Sequence, residues 1–494
     1  MQLHLFKNAS WSSLLIGIRA VTGLLSTLLA IRLLGPDQYG TIATYLSIFL
    51  IYLSLNSSFY TIVVIKLIAS DRDKQQHVRC AVIAIATRFC IWSLLILCGV
   101  TLLLSLYVTQ KSFFVFMQPK IFDKVILLMG VLTAVQICAA LQAAMIEGAG
   151  RLDLMAKCQL ISPFVTLIML SINLFIDNMV DARIYLIVLC VAGTIDLVLL
   201  WSIRRLLYLS LVSRSYEYKD VVSVFQLLRS GSLLQATSML NLFLEPANKI
   251  LLNYFAGPVV VASYDLAMRV FWGIQHLVSA PMRVFLYIDQ NDCAEVGRIF
   301  GNVIKLLSVT VIAIHIIAVI FLFFVARHQL MIHETQLVIF STIATVSNFG
   351  MIFITPLYLN LIGNNDLKFI FRTQFVLVSI NILMTAVAVP FFGLVGAAFG
   401  LLIATFINFI LIYLRCHINA SVYDDPEIQL SQFKIRVATM LTLLLITIIW
   451  AITGGKYILV LFAVILYMIF ILVREPLVSK FINYFFPRIF HRKF

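Results

Sequence analysis

The chain has 494 residues, of which 62% are hydrophobic and only 12% are charged, whereas an average soluble domain carries about 25% charged residues. This composition excludes a soluble globular fold and predicts an integral membrane protein. The formal net charge of +14 does not indicate a nucleic-acid-binding protein, because the basic residues lie in loops and do not cluster on one helix face.

Apolar stretches long enough to cross a bilayer follow one another along almost the whole chain. A spanning helix needs about 20 mostly apolar residues, and the alternating pattern of a membrane β-barrel is absent. Hydropathy windows of about 19 residues predict about fourteen spans. Their ranges are 11–34, 41–66, 80–108, 122–147, 158–176, 184–208, 230–255, 259–287, 299–326, 335–361, 370–389, 393–414, 436–453 and 457–473. The sequence therefore predicts an all-α integral membrane protein.

The distribution of basic residues over the loops predicts how the chain is oriented. With both termini in the cytoplasm, about 24 lysines and arginines lie on the cytoplasmic side and about 8 on the other side. By the positive-inside rule, this threefold bias supports that orientation. The first apolar run is too long for a signal peptide and is expected to remain as a span. The basic, aromatic tail at 474–494 is expected to lie against anionic lipid headgroups.

A weak internal repeat predicts a two-lobed design. Residues 34–49 read LGPDQYGTIATYLSIF and residues 256–271 read AGPVVVASYDLAMRVF, so a Gly-Pro pair follows the first helix of each half. The sequences GAGRLD at 148–153 and LIGNND at 361–366 follow the fourth helix of each half. The number of residues between these two segments is similar to the number between the two Gly-Pro segments. Two halves built in this way are common among transporters.

The repeat and the charge distribution together predict five regions. Six helices form each of two pseudo-symmetric lobes, a basic cytoplasmic linker joins the lobes, and two further helices precede the tail. The ranges are 1–210 for the N-terminal lobe, 211–229 for the linker, 230–415 for the C-terminal lobe, 436–473 for the two extra helices and 474–494 for the tail.

Three segments of the chain match a known family pattern. The first is LLAIRLLGPDQYG at 28–40, after Lys7 and an arginine within the first helix. The second is KILLNYFAGPVVVASYDLAMR at 249–269, across the seventh and eighth helices, and the third is the glycine-rich turn VPFFGLVGAAFG at 389–400. Together they resemble the corresponding segments of polysaccharide-repeat flippases of the Wzx type, in the multidrug/oligosaccharidyl-lipid/polysaccharide exporter superfamily. The resemblance covers nearly the whole chain.

The resemblance implies a MATE/MurJ-like fold and a transport function without enzymatic activity. Its substrate would be an undecaprenyl-diphosphate-linked oligosaccharide, such as an O-antigen unit of lipopolysaccharide, moved across the bacterial inner membrane by alternating access of the two lobes. It also implies a positively charged central cavity lined by residues such as Arg19 and Arg269 on the first and eighth helices. Contact with other polysaccharide assembly proteins is open.

Four arginines lie within predicted spans, namely Arg19, Arg88, Arg269 and Arg283. A charged residue within a span costs about 2.5–3.5 kcal/mol on insertion scales, so such residues generally face a cavity or a partner. A guanidinium carries permanent charge and can donate to two phosphate oxygens at once. We therefore predict that these arginines bind the diphosphate, with a salt bridge or a snorkelling side chain as the alternative for each, above all for Arg88.

Acidic residues within the spans are candidates for proton coupling. Glu245 and Lys249 are four residues apart on the seventh helix, a spacing that allows an ion pair. Glu245 is therefore either neutralised by Lys249 or takes up and releases a proton during transport. Asp196, deep in the sixth helix, has no partner nearby in sequence and is a second candidate. Asp265 and Glu147 are expected nearer the membrane faces, in structural roles.

Two other functions can be weighed against the flippase. A multidrug or cation antiporter of the same superfamily would place acidic residues in its cavity, because its substrates are cationic, and this sequence shows the opposite balance. A glycosyltransferase or polymerase would need a long extracytoplasmic loop with catalytic carboxylates or a metal motif. Such a loop, a phosphate-binding loop and a nucleophile motif are absent from the sequence, so neither an enzyme nor a cofactor is expected.

Overall fold

The computed structural model describes residues 2–72, 76–110, 122–149, 151–176, 181–208, 224–282, 334–363 and 366–418. All regular secondary structure in these ranges is helical. The helices are α1 (Gln2–Leu34), α2 (Pro36–Arg72), α3 (Gln76–Gln110), α4 (Phe122–Gly148), α5 (Leu152–Ile176), α6 (Ala182–Tyr208), α7 (Val224–Ala256), α8 (Pro258–Met282), α9 (Glu334–Gly363), α10 (Leu367–Phe392) and α11 (Leu394–Ile418). The predicted spans near 299–326, 436–453 and 457–473, the tail and most of the linker lie outside the described residues.

Eight helices of the described ranges are long and apolar enough to cross a membrane. Their spanning segments are Gly17–Leu34, Pro36–Asn56, Val82–Leu103, Val125–Gly148, Lys157–Ile176, Ala182–Leu207, Leu367–Phe392 and Leu394–Ile412. Large apolar side chains such as Trp92, Leu103 and Phe175 are exposed on these helices, as expected where a helix faces lipid. The chain is a multi-pass membrane protein, as its composition predicted.

The helices pack as two groups that contact each other along α1, α2, α7 and α8. In the first group, α4 packs against α2, α3 and α6, while α5 packs against α1 and α6. In the second group, α10 packs against α7 and α11, and α9 packs against α8 and α11. Between the groups, α2 lies on both α7 and α8, and α1 lies on α8. The largest apolar core runs through both groups.

The turns from α1 to α2 and from α7 to α8 have the same local structure. Gly35 and Gly257 have positive φ angles of 79° and 88°, which glycine adopts without the steric cost of a side chain. Proline follows each glycine and opens the next helix, where its missing N–H leaves no intrahelical bond unmade. The two turns also touch, because a Cβ added to Gly40 would lie 1.7 Å from the carbonyl oxygen of Pro258.

Candidate functional site

Four charged side chains of α7 and α8 form a continuous chain of ion pairs. The Nζ of Lys249 lies 2.5 Å from Oε1 of Glu245 and 2.5 Å from Oδ1 of Asp265. The Nε of Arg269 donates to Oδ2 of Asp265 at 2.9 Å. Acidic and basic groups therefore alternate from Glu245 to Arg269, and the four formal charges sum to zero.

Burial explains why these charges are paired. The side chains of Lys249 and Asp265 are only 3% and 1% exposed, and an isolated charge removed from water at such a position is strongly unfavourable. Each of these two groups contacts two groups of opposite sign. Local helix geometry supplies two of the three ion pairs, because Glu245 and Lys249, like Asp265 and Arg269, are separated by four residues and so share a helix face.

Asp265 is the centre of this network and also its link to the first group of helices. The hydroxyl of Tyr39, in the first turn of α2, donates to Oδ2 of Asp265. The ring of Tyr39 packs edge-on against Tyr185 of α6, with 6.3 Å between ring centroids. The sequence predicted a position for Asp265 near a membrane face in a structural role, and the structure adds that three groups donate to its carboxylate, namely Lys249, Arg269 and Tyr39.

Arg269 ends the chain of charges and is the member most open to a ligand. Its side chain is 43% exposed, whereas its partner Asp265 is 1% exposed. The bond to Asp265 uses Nε, so the carboxylate orients the guanidinium from behind. The two terminal nitrogens are those that can donate side by side to a phosphate or carboxylate. Arg269 therefore combines a side chain fixed by a buried carboxylate with substantial exposure.

Arg19, the second arginine expected in the cavity, is exposed within the membrane-spanning part of α1. One terminal nitrogen donates to Oε1 of Gln159 on α5 at 2.9 Å. The neighbouring Ala20 faces α8, where a Cβ added to Gly273 would lie 3.0 Å from the Ala20 methyl group. Gly273 is one helical turn beyond Arg269, so the part of α1 that carries Arg19 lies beside the part of α8 that carries Arg269.

The other predicted site residues have different surroundings. Asp196 on α6 interacts electrostatically with Arg19, and its Oδ1 is buried with no hydrogen-bond partner in the part of the chain that the structure describes. Arg88 is exposed on α3. Arg283 lies just beyond the described end of α8, outside the described residues.

Sequence reasoning missed two features of this site. It paired Glu245 with Lys249 but overlooked the same four-residue spacing between Asp265 and Arg269, which was visible in the sequence. It also missed Tyr39, which lies 226 residues before Asp265 and carries no charge. The repeat could have indicated this contact, because Tyr39 follows the first Gly-Pro pair and Asp265 follows the second.

The helices of the described residues define a multi-pass membrane protein with the fold of the multidrug/oligosaccharidyl-lipid/polysaccharide exporter superfamily. A family model described as polysaccharide biosynthesis protein matches residues 5–287, which is more than half of the chain. The chain belongs to this family. No curated protein sequence gives a match.

Solved structures with the same fold include transporters and a flippase. An inward-facing multidrug resistance MATE family transporter has a TM-score of 0.62 and 12% identity, covering 82% of this chain and 98% of that one. A superfamily transporter from Pyrococcus furiosus, described as having a binding pocket of reverse polarity, has a TM-score of 0.61 and 13% identity, covering 85% and 97%. The lipid II flippase MurJ, in an inward closed conformation, has a TM-score of 0.60 and 14% identity, covering 97% and 99%. At these identities the similarity is one of fold.

Proposed function

We propose that this protein is a non-enzymatic flippase for undecaprenyl-diphosphate-linked oligosaccharide repeat units, such as O-antigen units, in the bacterial inner membrane. The two helix groups would act as lobes that open alternately to the cytoplasmic and periplasmic leaflets. Membership of a polysaccharide biosynthesis family and the fold shared with a lipid II flippase support the substrate class.

The observation that carries the proposal is the placement of Arg269. A carboxylate fixes its guanidinium, yet nearly half of the side chain stays exposed within a membrane protein. Arg19 offers a second exposed guanidinium from the other helix group. A diphosphate has too much charge to cross hydrocarbon alone, and two arginines can match its oxygens with charge-assisted hydrogen bonds.

The balance of charge disfavours the multidrug or cation antiporter. The acidic groups nearest to Arg269 are already paired, since Asp265 contacts both Arg269 and Lys249, and Glu245 contacts Lys249. An organic cation entering beside Arg269 would meet a like charge. The P. furiosus transporter is a precedent, in this fold, for a binding pocket whose reverse polarity suggests a different function.

The test is complementation of a gene deletion, read out by surface glycan and by lipid-linked intermediates on the cytoplasmic side. The intact chain should restore glycan export, and Arg19→Ala and Arg269→Ala should each lower it at normal protein level. Arg32→Ala is the matched control, because it removes an exposed arginine of α1 near the turn to α2. Full glycan export in both Arg19→Ala and Arg269→Ala would rule out the charge mechanism. Unchanged surface glycan together with altered drug sensitivity in the deletion strain would indicate the antiporter.

A further inference from the structure

The hydrogen bond from Tyr39 to Asp265 joins the two helix groups near one end of the bundle. Tyr39 is the fourth residue of α2, and Asp265 is the eighth residue of α8. At 1.5 Å per residue, both lie within about 12 Å of the Gly-Pro turns that open these helices. The positive-inside rule predicts that these turns face the periplasm.

Two contacts join the helix groups at this end, and two ion pairs within the second group fix the acceptor of one of them. The main chain of Gly40 lies directly against the carbonyl of Pro258, at a distance that excludes any side chain. Tyr39 is 2% exposed and its hydroxyl reaches a carboxylate that is 1% exposed. Lys249 and Arg269 fix that carboxylate, because each contacts one of its two oxygens.

A buried hydrogen bond to an ionised acceptor is stronger than one between neutral groups, and it is costly to leave unmade. When the helix groups separate at this end, Tyr39 loses its acceptor while Asp265 keeps both cations from its own group. The ion pairs within α7 and α8 therefore do not need to break, and only the bond between the groups must be exchanged for water.

We propose that Tyr39 and Asp265 form a lock that keeps this end of the transporter closed and that opens each time the lobes separate there. The lock is a property of the protein without substrate. It therefore goes beyond the flippase proposal, and either proposal can fail while the other holds.

The experiment measures how often this end opens in the purified, substrate-free protein. All eight cysteines are replaced, and a single reporter cysteine is introduced as Thr44→Cys. Thr44 is 3% exposed and lies one turn after Gly40 on the same helix face, so a soluble maleimide reaches it only in the open form. The alkylation rate is proportional to the open fraction when closing is faster than labelling. Tyr39→Phe keeps the ring and removes only the hydroxyl, and should raise this rate about tenfold.

Two controls separate opening from other effects. Tyr52→Phe removes another hydroxyl of α2 whose bond, to the carbonyl of Ser93 at 2.6 Å, stays within the first helix group, and it should leave the Thr44→Cys rate unchanged. A second reporter, Thr133→Cys, is buried within the first group on α4 and responds to local unfolding. A faster rate at Thr44→Cys alone supports the lock. An unchanged rate, or an equal increase at both reporters, overturns it.

Discussion

At the scale of single residues, Lys249 is the side chain whose loss should cost the most stability. It is 3% exposed and is the shared counter-ion of Glu245 and Asp265. Lys249→Met removes one of the two cations that contact the buried carboxylate of Asp265. Breaking a buried ion pair in this way typically costs about 3–5 kcal/mol of folding free energy. We expect a clearly lower melting temperature in detergent and less folded protein in membranes. Lys157→Met, which removes an exposed lysine of α5, is the control and should change neither quantity.

The ionic origin of this effect can be separated from loss of packing. In the background of Asp265→Asn the buried carboxylate is already neutral, so Lys249→Met should cost much less there than in the parent chain. A double-mutant cycle on melting temperatures measures the difference. Equal costs in both backgrounds would show that the aliphatic part of Lys249, and not its charge, stabilises the fold.

The two proton-coupling candidates have surroundings that favour different roles. Glu245 is held 2.5 Å from Lys249, whereas Oδ1 of Asp196 is buried with no hydrogen-bond partner among the described residues. Asp196 also interacts electrostatically with Arg19, so a proton on Asp196 would leave the charge of Arg19 less compensated and strengthen anion binding there. Protonation of Asp196 should therefore change the affinity of Arg19 for an anionic substrate.

We accordingly expect Asp196→Asn to abolish the dependence of glycan transport on the proton gradient, and Glu245→Gln to retain it. The measurement is transport of a lipid-linked oligosaccharide into proteoliposomes, with and without a protonophore. Glu245→Gln should instead lower thermal stability, because Lys249 loses one of its two carboxylates. A gradient response that survives in Asp196→Asn and disappears in Glu245→Gln would assign the coupling to Glu245.

At the scale of helices, the contact between the two Gly-Pro turns depends on the absence of a side chain at Gly40. A methyl group there would lie 1.7 Å from the carbonyl oxygen of Pro258, and backbone atoms cannot move away as a flexible side chain could. Gly40→Ala should therefore force α2 and α8 apart, at a cost typical of overpacking, about 1–3 kcal/mol. Faster alkylation of Thr44→Cys and a lower melting temperature would report this separation.

Gly99→Ala is the matched control for this prediction. Gly99 lies within α3, and a Cβ added there meets no atom within 4 Å. Alanine has a higher helix propensity than glycine, so Gly99→Ala should leave stability unchanged or raise it slightly. A similar loss of stability in both variants would mean that the close approach at Gly40 does not matter.

At the scale of the whole molecule, the parts of the structure that the sequence predicted correctly depend on local rules. The helical class follows from apolar stretches of spanning length, and the two Gly-Pro turns follow from the backbone preferences of adjacent residues. The pair of Glu245 and Lys249 was predicted as one of two alternatives from a four-residue spacing. The contacts of Tyr39 with Asp265 and of Gly40 with Pro258 join residues more than 200 positions apart. Such contacts depend on how the two helix groups pack, which periodicity and hydropathy do not specify.

The predicted orientation of the molecule in the membrane can be tested at two exposed positions. The positive-inside rule places the turn from α1 to α2 in the periplasm and the loop between α9 and α10 in the cytoplasm. Asp37 and Lys368 are exposed at these two positions, so each can be replaced by a single cysteine in a chain without native cysteines. In intact cells whose outer membrane has been made permeable, a membrane-impermeant maleimide should label Asp37→Cys. Lys368→Cys should react only after the inner membrane is disrupted. Labelling of Lys368→Cys but not of Asp37→Cys in intact cells would mean that the topology is inverted. The Tyr39–Asp265 lock would then close the cytoplasmic end of the transporter and not the periplasmic end.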